Sequence, residues 1–132
     1  MTQIIDSIEA DAPLFDPNSW KLSNFQTELC EKARKMGSES FAPRAEKWDR
    51  EASFPVENYE DLKKEGMLGI CIPSSEGGIG ADFKSYMLAA AEIGRYCGTT
   101  ALTFNMHVCS CLWTGELADS LDLDQHKLAQ LH

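Results

Sequence analysis

The stretch DFKSYMLAAAEIGRYCGTTALTFNMHVCSCLW, residues 82–113, decides the fold class. Asp82 suits the cap of a helix, with Ser85 at the third helical position, whose amide a capping carboxylate accepts. Beyond it Tyr86, Met87, Ala89, Ala90, Ala91, Ile93, Gly94 and Cys97 make a strongly apolar helix. Small residues stand on nearly every side, so this helix is expected at the centre, with neighbours close on several sides. Gly98-Thr99-Thr100 interrupts the pattern, and a second buried helix is expected from about Ala101 to Trp113 or Ala118.

The flanking sequence is helical too. Upstream, Phe25, Leu29, Ala33 and Met36 form an apolar stripe, with Ser23 or Asn24 as its N-cap and Gln26 at capping-box spacing from Ser23. Helix is expected through Ser38 to Phe41, where Pro43 forces a kink or restart by removing an amide donor. A segment Arg44–Arg50 turns Ala45 and Trp48 inward. Pro55 opens a further helix with Val56, Tyr59, Leu62 and the stem of Lys63 inside, and Gly66 fits its left-handed C′ position. The apolar run Met67–Ile72 reads as a buried extended segment, and Ser74–Ala81 as a glycine-rich loop. Residues 1–22, with two prolines and no apolar period, read as a partly disordered arm that first docks at Trp20. At the other end, a helix from near Asp124 is still mid-pattern at His132. The expected organisation is therefore an all-α domain over 23–132, cut within its last helix and belonging to a longer polypeptide.

Length and charge narrow the class. A chain of 132 residues suffices for one domain with a core of its own. Its 43% hydrophobic and 25% charged residues are ordinary globular usage, against disorder or collagen-like repeats. A net charge of −9 repels phosphate backbones, so nucleic acid is not the expected partner. Five scattered cysteines lack the spacing of a disulfide framework and point to a reducing compartment. With no signal or transit segment and no bilayer-length apolar run, a cytoplasmic protein is expected.

The candidate chemistry is sparse. Gly77-Gly78-Ile79-Gly80 lacks the Lys-Ser/Thr of a phosphate loop and is followed by Asp82, so it reads as a structural turn. His107 and Cys111 are four apart and could share an ion, but Cys109 points elsewhere and two ligands are too few. His107 itself is either a core histidine satisfied by a backbone carbonyl or a cavity residue. Thr103, Met106, His107 and Ser110 fall at i, i+3, i+4 and i+7, a mildly polar face able to border a pocket or a partner subunit. Phe104, Val108, Cys111 and Leu112 make a drier face suited to core packing. Among the carboxylates Glu76, Asp82 and Glu92, only Glu92 has an evident partner, Arg95.

Five pieces in register resemble the N-terminal helical domain of the acyl-CoA dehydrogenase family. They are Phe41-Ala42-Pro43-Arg44-Ala45 with Trp48-Asp49-Arg50-Glu51 and Phe54-Pro55; Gly66–Ile70 with Ile72-Pro73; Glu76–Gly80; Ala91-Glu92-Ile93-Gly94; and Thr99-Thr100-Ala101 with His107. The likeness runs from about Phe25 to His132. It implies a flavoprotein with further β and helical domains, FAD between those two, and a homodimer or homotetramer active in fatty acid metabolism. The implied reaction is α,β-dehydrogenation of an acyl-CoA thioester, with electrons passing to an acceptor flavoprotein. The catalytic base would lie beyond His132, leaving no catalytic residue here and making this piece alone inactive. This domain's share would be one wall of the acyl pocket, with Thr103, Met106, His107 and Ser110 as substrate-binding positions. After Trp113 the chain departs from the family's short Gly-x-x-x-x-Lys turn with the longer, more acidic Thr114–Gln125, which leaves the subfamily open. Two alternatives remain at this point: a flavin-dependent monooxygenase of the same fold, suggested by His107, and a non-catalytic helical interaction module.

Overall fold

A computed structural model describes residues 12–120. Among the described residues there are five α-helices and no strand, so the all-α expectation holds. The helix expected from Asp124 and the first half of the arm lie outside the described residues. The helices are α1 (Asn24–Met36), α2 (Ala42–Glu51), α3 (Val56–Lys64), α4 (Phe83–Gly94) and α5 (Gly98–Ser120).

α4 is central, packing against α1 on one side and α5 on the other. Its start follows from Asp82, whose side chain accepts the Ser85 amide at 2.8 Å. Hydrogen bonds from the Ser85 hydroxyl and amide hold that carboxyl below the usual aspartate range, the charge also suiting a helix N-terminus. Leu88, Ala89, Ala90 and Ile93 are buried, and the alanines let neighbouring helices approach closely. Met87, expected inside, is exposed.

α1 begins with the capping box, Ser23 Oγ accepting the Gln26 amide and Gln26 Oε1 accepting the Ser23 amide. Its inner stripe is Leu29, Ala33 and Met36 as expected, but Phe25 is 43% exposed. The position beside it, Gln26, is the buried one, because Gln26 Nε2 donates to Ser85 Oγ of α4 at 3.1 Å. Pro43 does not interrupt the helical winding. A five-residue π turn, Gly37–Phe41, carries helix directly into α2, with the Ala42 amide reaching back to the Gly37 carbonyl. The proline then stands in the first turn of α2, where no intrahelical donor is needed.

Three further expectations are corrected. α3 buries Asn58 and Leu62 rather than Val56 and Lys63, both of which are exposed. Met67–Gly69 is a 3-10 turn, not an extended segment; a helical wind puts Met67 and Ile70 together in the core. The arm docks before Trp20, which is 53% exposed and packs on Phe15. Ala12 and Leu14 of the arm hydrogen-bond to the core, through Arg95 and Glu92. Gly66 does take the left-handed conformation, φ 73°.

α5 starts at Gly98 and runs unbroken, so Thr99 and Thr100 open it instead of interrupting. It is not buried all round. Ala101, Phe104 and Val108 enter the core, whereas Leu102, Met106, Trp113 and Leu117 are each more than half exposed. No helix among the described residues is long and apolar enough to cross a membrane.

Candidate functional site

The expected site residues sit on α5, and the α5 backbone does put Thr103, Met106, His107 and Ser110 on one side of the helix. They divide into two pairs. Thr103 and His107 are half-buried against α3 and the turn after it. The Tyr59 ring lies edge-on to the His107 imidazole at 6.4 Å between centroids, and Phe54 stacks beyond Tyr59 at 4.7 Å. Tyr59 interacts with the Thr103 hydroxyl, while burial pushes the phenol above its usual range. His107 Nε2 is 2.9 Å from the Leu68 carbonyl oxygen. A carbonyl only accepts, so this nitrogen carries the proton and donates it. His107 is thus a histidine satisfied by a backbone carbonyl, one of the two readings open from the sequence. Met106 and Ser110 lie further round the helix and are exposed, with Ser110 Oγ returned to the Met106 carbonyl at 2.9 Å.

The uncovered face is broader than the four positions. Leu102, Met106, Cys109, Trp113 and Leu117 recur at spacings of four, three, four and four, forming one apolar strip with Ser110 at its margin. The signal was in the sequence, but an apolar helix with no charge before Glu116 reads as buried. Nothing local marks which of its sides lacks a neighbour within this domain.

On the other side of α5 lies a cavity of about 180 Å³, walled by Leu68, Cys71, Pro73, Val108, Cys111 and Leu112 among others. None of the four expected site residues lines it. Burial raises the thiols of Cys71 and Cys111, which keeps both protonated. Cys111 Sγ approaches His107 Nε2 to 3.6 Å, yet among the described residues no three potential metal ligands come together.

The glycine loop is closed onto its own neighbourhood. The amides of Gly77, Gly78, Ile79, Gly80 and Ala81 donate to carbonyls of Ser74, Pro73, Gly69, Ile72 and Ile70. A Cβ at Gly78 would overlap the Ile72 carbonyl, so this position requires glycine. A dinucleotide's pyrophosphate needs free amides, and these are engaged. The loop therefore does not fit FAD and serves as a structural turn. Two of the carboxylates are committed, Asp82 to its helix cap and Glu92 to an ion pair. Glu92 is fully buried between Arg95 at 3.1 Å and Arg34 at 3.6 Å, the Arg95 pairing being the one the sequence suggested.

Sequence reasoning missed a buried polar chain linking three helices. Arg44 of α2 donates to Asn58 Oδ1 at 2.9 Å, Asn58 Nδ2 donates to Thr100 Oγ1 of α5 at 2.8 Å, and Thr100 Oγ1 donates to Cys97 Sγ at 3.1 Å. Arg44 also pairs with Asp61 at 2.7 Å.

Comparison with known proteins agrees with this architecture. Residues 23–116 match the family model described as acyl-CoA dehydrogenase, N-terminal domain. A probable acyl-CoA dehydrogenase of Bacillus subtilis is 33% identical over 65% of this chain and 23% of its own length. A short-chain-specific acyl-CoA dehydrogenase of Clostridium acetobutylicum is 30% identical over 70% of this chain and 24% of its own. The mitochondrial isovaleryl-CoA dehydrogenase of Solanum tuberosum is 32% identical over 66% and 22%. The matched region thus spans about a quarter of the length of these relatives. No solved structure matches significantly. An all-α bundle covered by that domain model over most of its length places the chain in the acyl-CoA dehydrogenase family, as its N-terminal domain.

Proposed function

We propose that this domain forms one wall of the acyl pocket in a cytoplasmic, FAD-dependent acyl-CoA dehydrogenase, a homodimer or homotetramer that passes electrons to an acceptor flavoprotein. The observation that carries the reading is the uncovered apolar strip of α5, in a chain of this family. Leu102, Met106, Trp113 and Leu117 offer a long apolar surface that would exclude water from an acyl chain. Covering such surface is worth roughly 25 cal/mol per Å². Thr103 and Ser110 border the strip, but both hydroxyls already donate to carbonyls of their own helix, so they shape the wall rather than reach a substrate. His107 acts from behind, holding α5 to the Leu68 turn. No reaction step is assigned to residues 12–120, whose glycine loop offers no phosphate cradle for FAD.

The monooxygenase alternative rested on His107, and its engagement with Leu68 leaves that reading without a supporting observation. The test is Met106→Trp in the intact protein. A bulkier wall should lower kcat/KM for long acyl-CoA thioesters by about tenfold or more while sparing short ones, since one well-placed group is worth about 1–3 kcal/mol. An unchanged chain-length profile would remove Met106 from the pocket.

A further inference from the structure

We infer that residues 12–22 are a strap, fastened to the helical core through the Glu92–Arg95 ion pair and releasable as a unit while the core stays folded. The inference is independent of the enzymatic reading. Two backbone groups of the strap meet both members of that pair. The Leu14 amide donates to Glu92 Oε1 at 2.9 Å, and Arg95 Nη1 donates to the Ala12 carbonyl at 2.6 Å. The Leu14 side chain is 46% exposed, so the backbone rather than apolar burial of this residue makes the attachment.

Each side of the contact has partners of its own. Glu92 has no exposed surface and would be costly alone, but Arg34 of α1 and Arg95 of its own helix compensate its charge whether or not the strap is in place. The first turn of α1 is closed by its own Ser23–Gln26 box and pinned to α4 by Gln26. The strap in turn is closed on itself. The Trp20 and Leu22 amides donate to the Asp16 and Pro17 carbonyls, the Ser19 amide to Asp16 Oδ2, and the Phe15 and Trp20 rings meet edge to face at 5.0 Å. Local units tied together by a few directional bonds open separately, as subglobal exchange does in other folds.

Leu14→Pro in the intact protein tests this, because it deletes the donated amide and leaves Glu92, Arg34 and Arg95 untouched. Amide hydrogen exchange over residues 12–22 should rise about tenfold, the loss of one hydrogen bond to a charged group, with α1 and α4 unchanged. Leu14→Ala keeps the amide and should leave strap exchange as it was. The inference is overturned if Leu14→Pro leaves strap protection intact, if α1 and α4 open together with the strap, or if Leu14→Ala releases it equally.

Discussion

Asn58 has no exposed surface, although a count of apolar spacings along α3 assigns it to the solvent side. What draws it inward is partner chemistry: its amide receives Arg44 on one side and donates to Thr100 on the other, satisfying three helices at once. Replacing Asn58 by Ala deprives the Thr100 oxygen of the donor it accepts from, and leaves one Arg44 N–H without its Asn58 acceptor, next to a new void. Unsatisfied buried groups cost about 1–3 kcal/mol each, so Asn58→Ala should lose roughly that much or more in urea unfolding. Stability equal to wild type would mean that the polar chain is dispensable. Gln26 illustrates the same limit of pattern reading, displacing Phe25 from the inner stripe through one bond to Ser85. Hydropathy ranks side chains one at a time. A buried amide becomes visible only when its distant partner is known.

At the level of elements, the readable features were those whose causes are local. The Ser23–Gln26 box, the Asp82 cap and the left-handed Gly66 each follow from residues within four positions, and each stands where the sequence placed it. The π turn was not readable, because its cause sits 59 residues away. Gly37 lies close against the Tyr96 ring, and a Cβ there would overlap that ring. Widening the helix at Gly37–Phe41 also keeps Phe41 fully buried while bringing Pro43 into the first turn of α2. Gly37→Ala should therefore destabilise the domain, by about 1–3 kcal/mol as overpacked cores do, despite the better intrinsic helix propensity of alanine. Adding Tyr96→Ala should recover part of the loss in thermal unfolding. A stabilised Gly37→Ala protein would show that the ring yields freely. The Met67–Ile72 run was misjudged for a related reason, since short apolar runs suit a strand or a tight helical turn equally well.

For the whole molecule, the informative feature is the asymmetry of α5. One side supplies Phe104 and Val108 to the core; the other leaves a strip of large apolar side chains more than half exposed. Contiguous exposed apolar surface of this kind marks binding sites or interfaces. The sequence foretold the helix and part of that face. It offered a backbone carbonyl for His107 but not that Leu68 supplies it, nor that Tyr59 lies beside Thr103 and His107, because those partners depend on how the chain around α3 meets α5. The chain matches about a quarter of its relatives, so the reaction belongs to the complete protein and is best tested there. The most direct measurement is visible absorption of the intact protein during anaerobic addition of a panel of acyl-CoA thioesters. The account predicts an oxidised-flavin band that at least one thioester bleaches. A flavin band that none bleaches, or no flavin band at all, would contradict it.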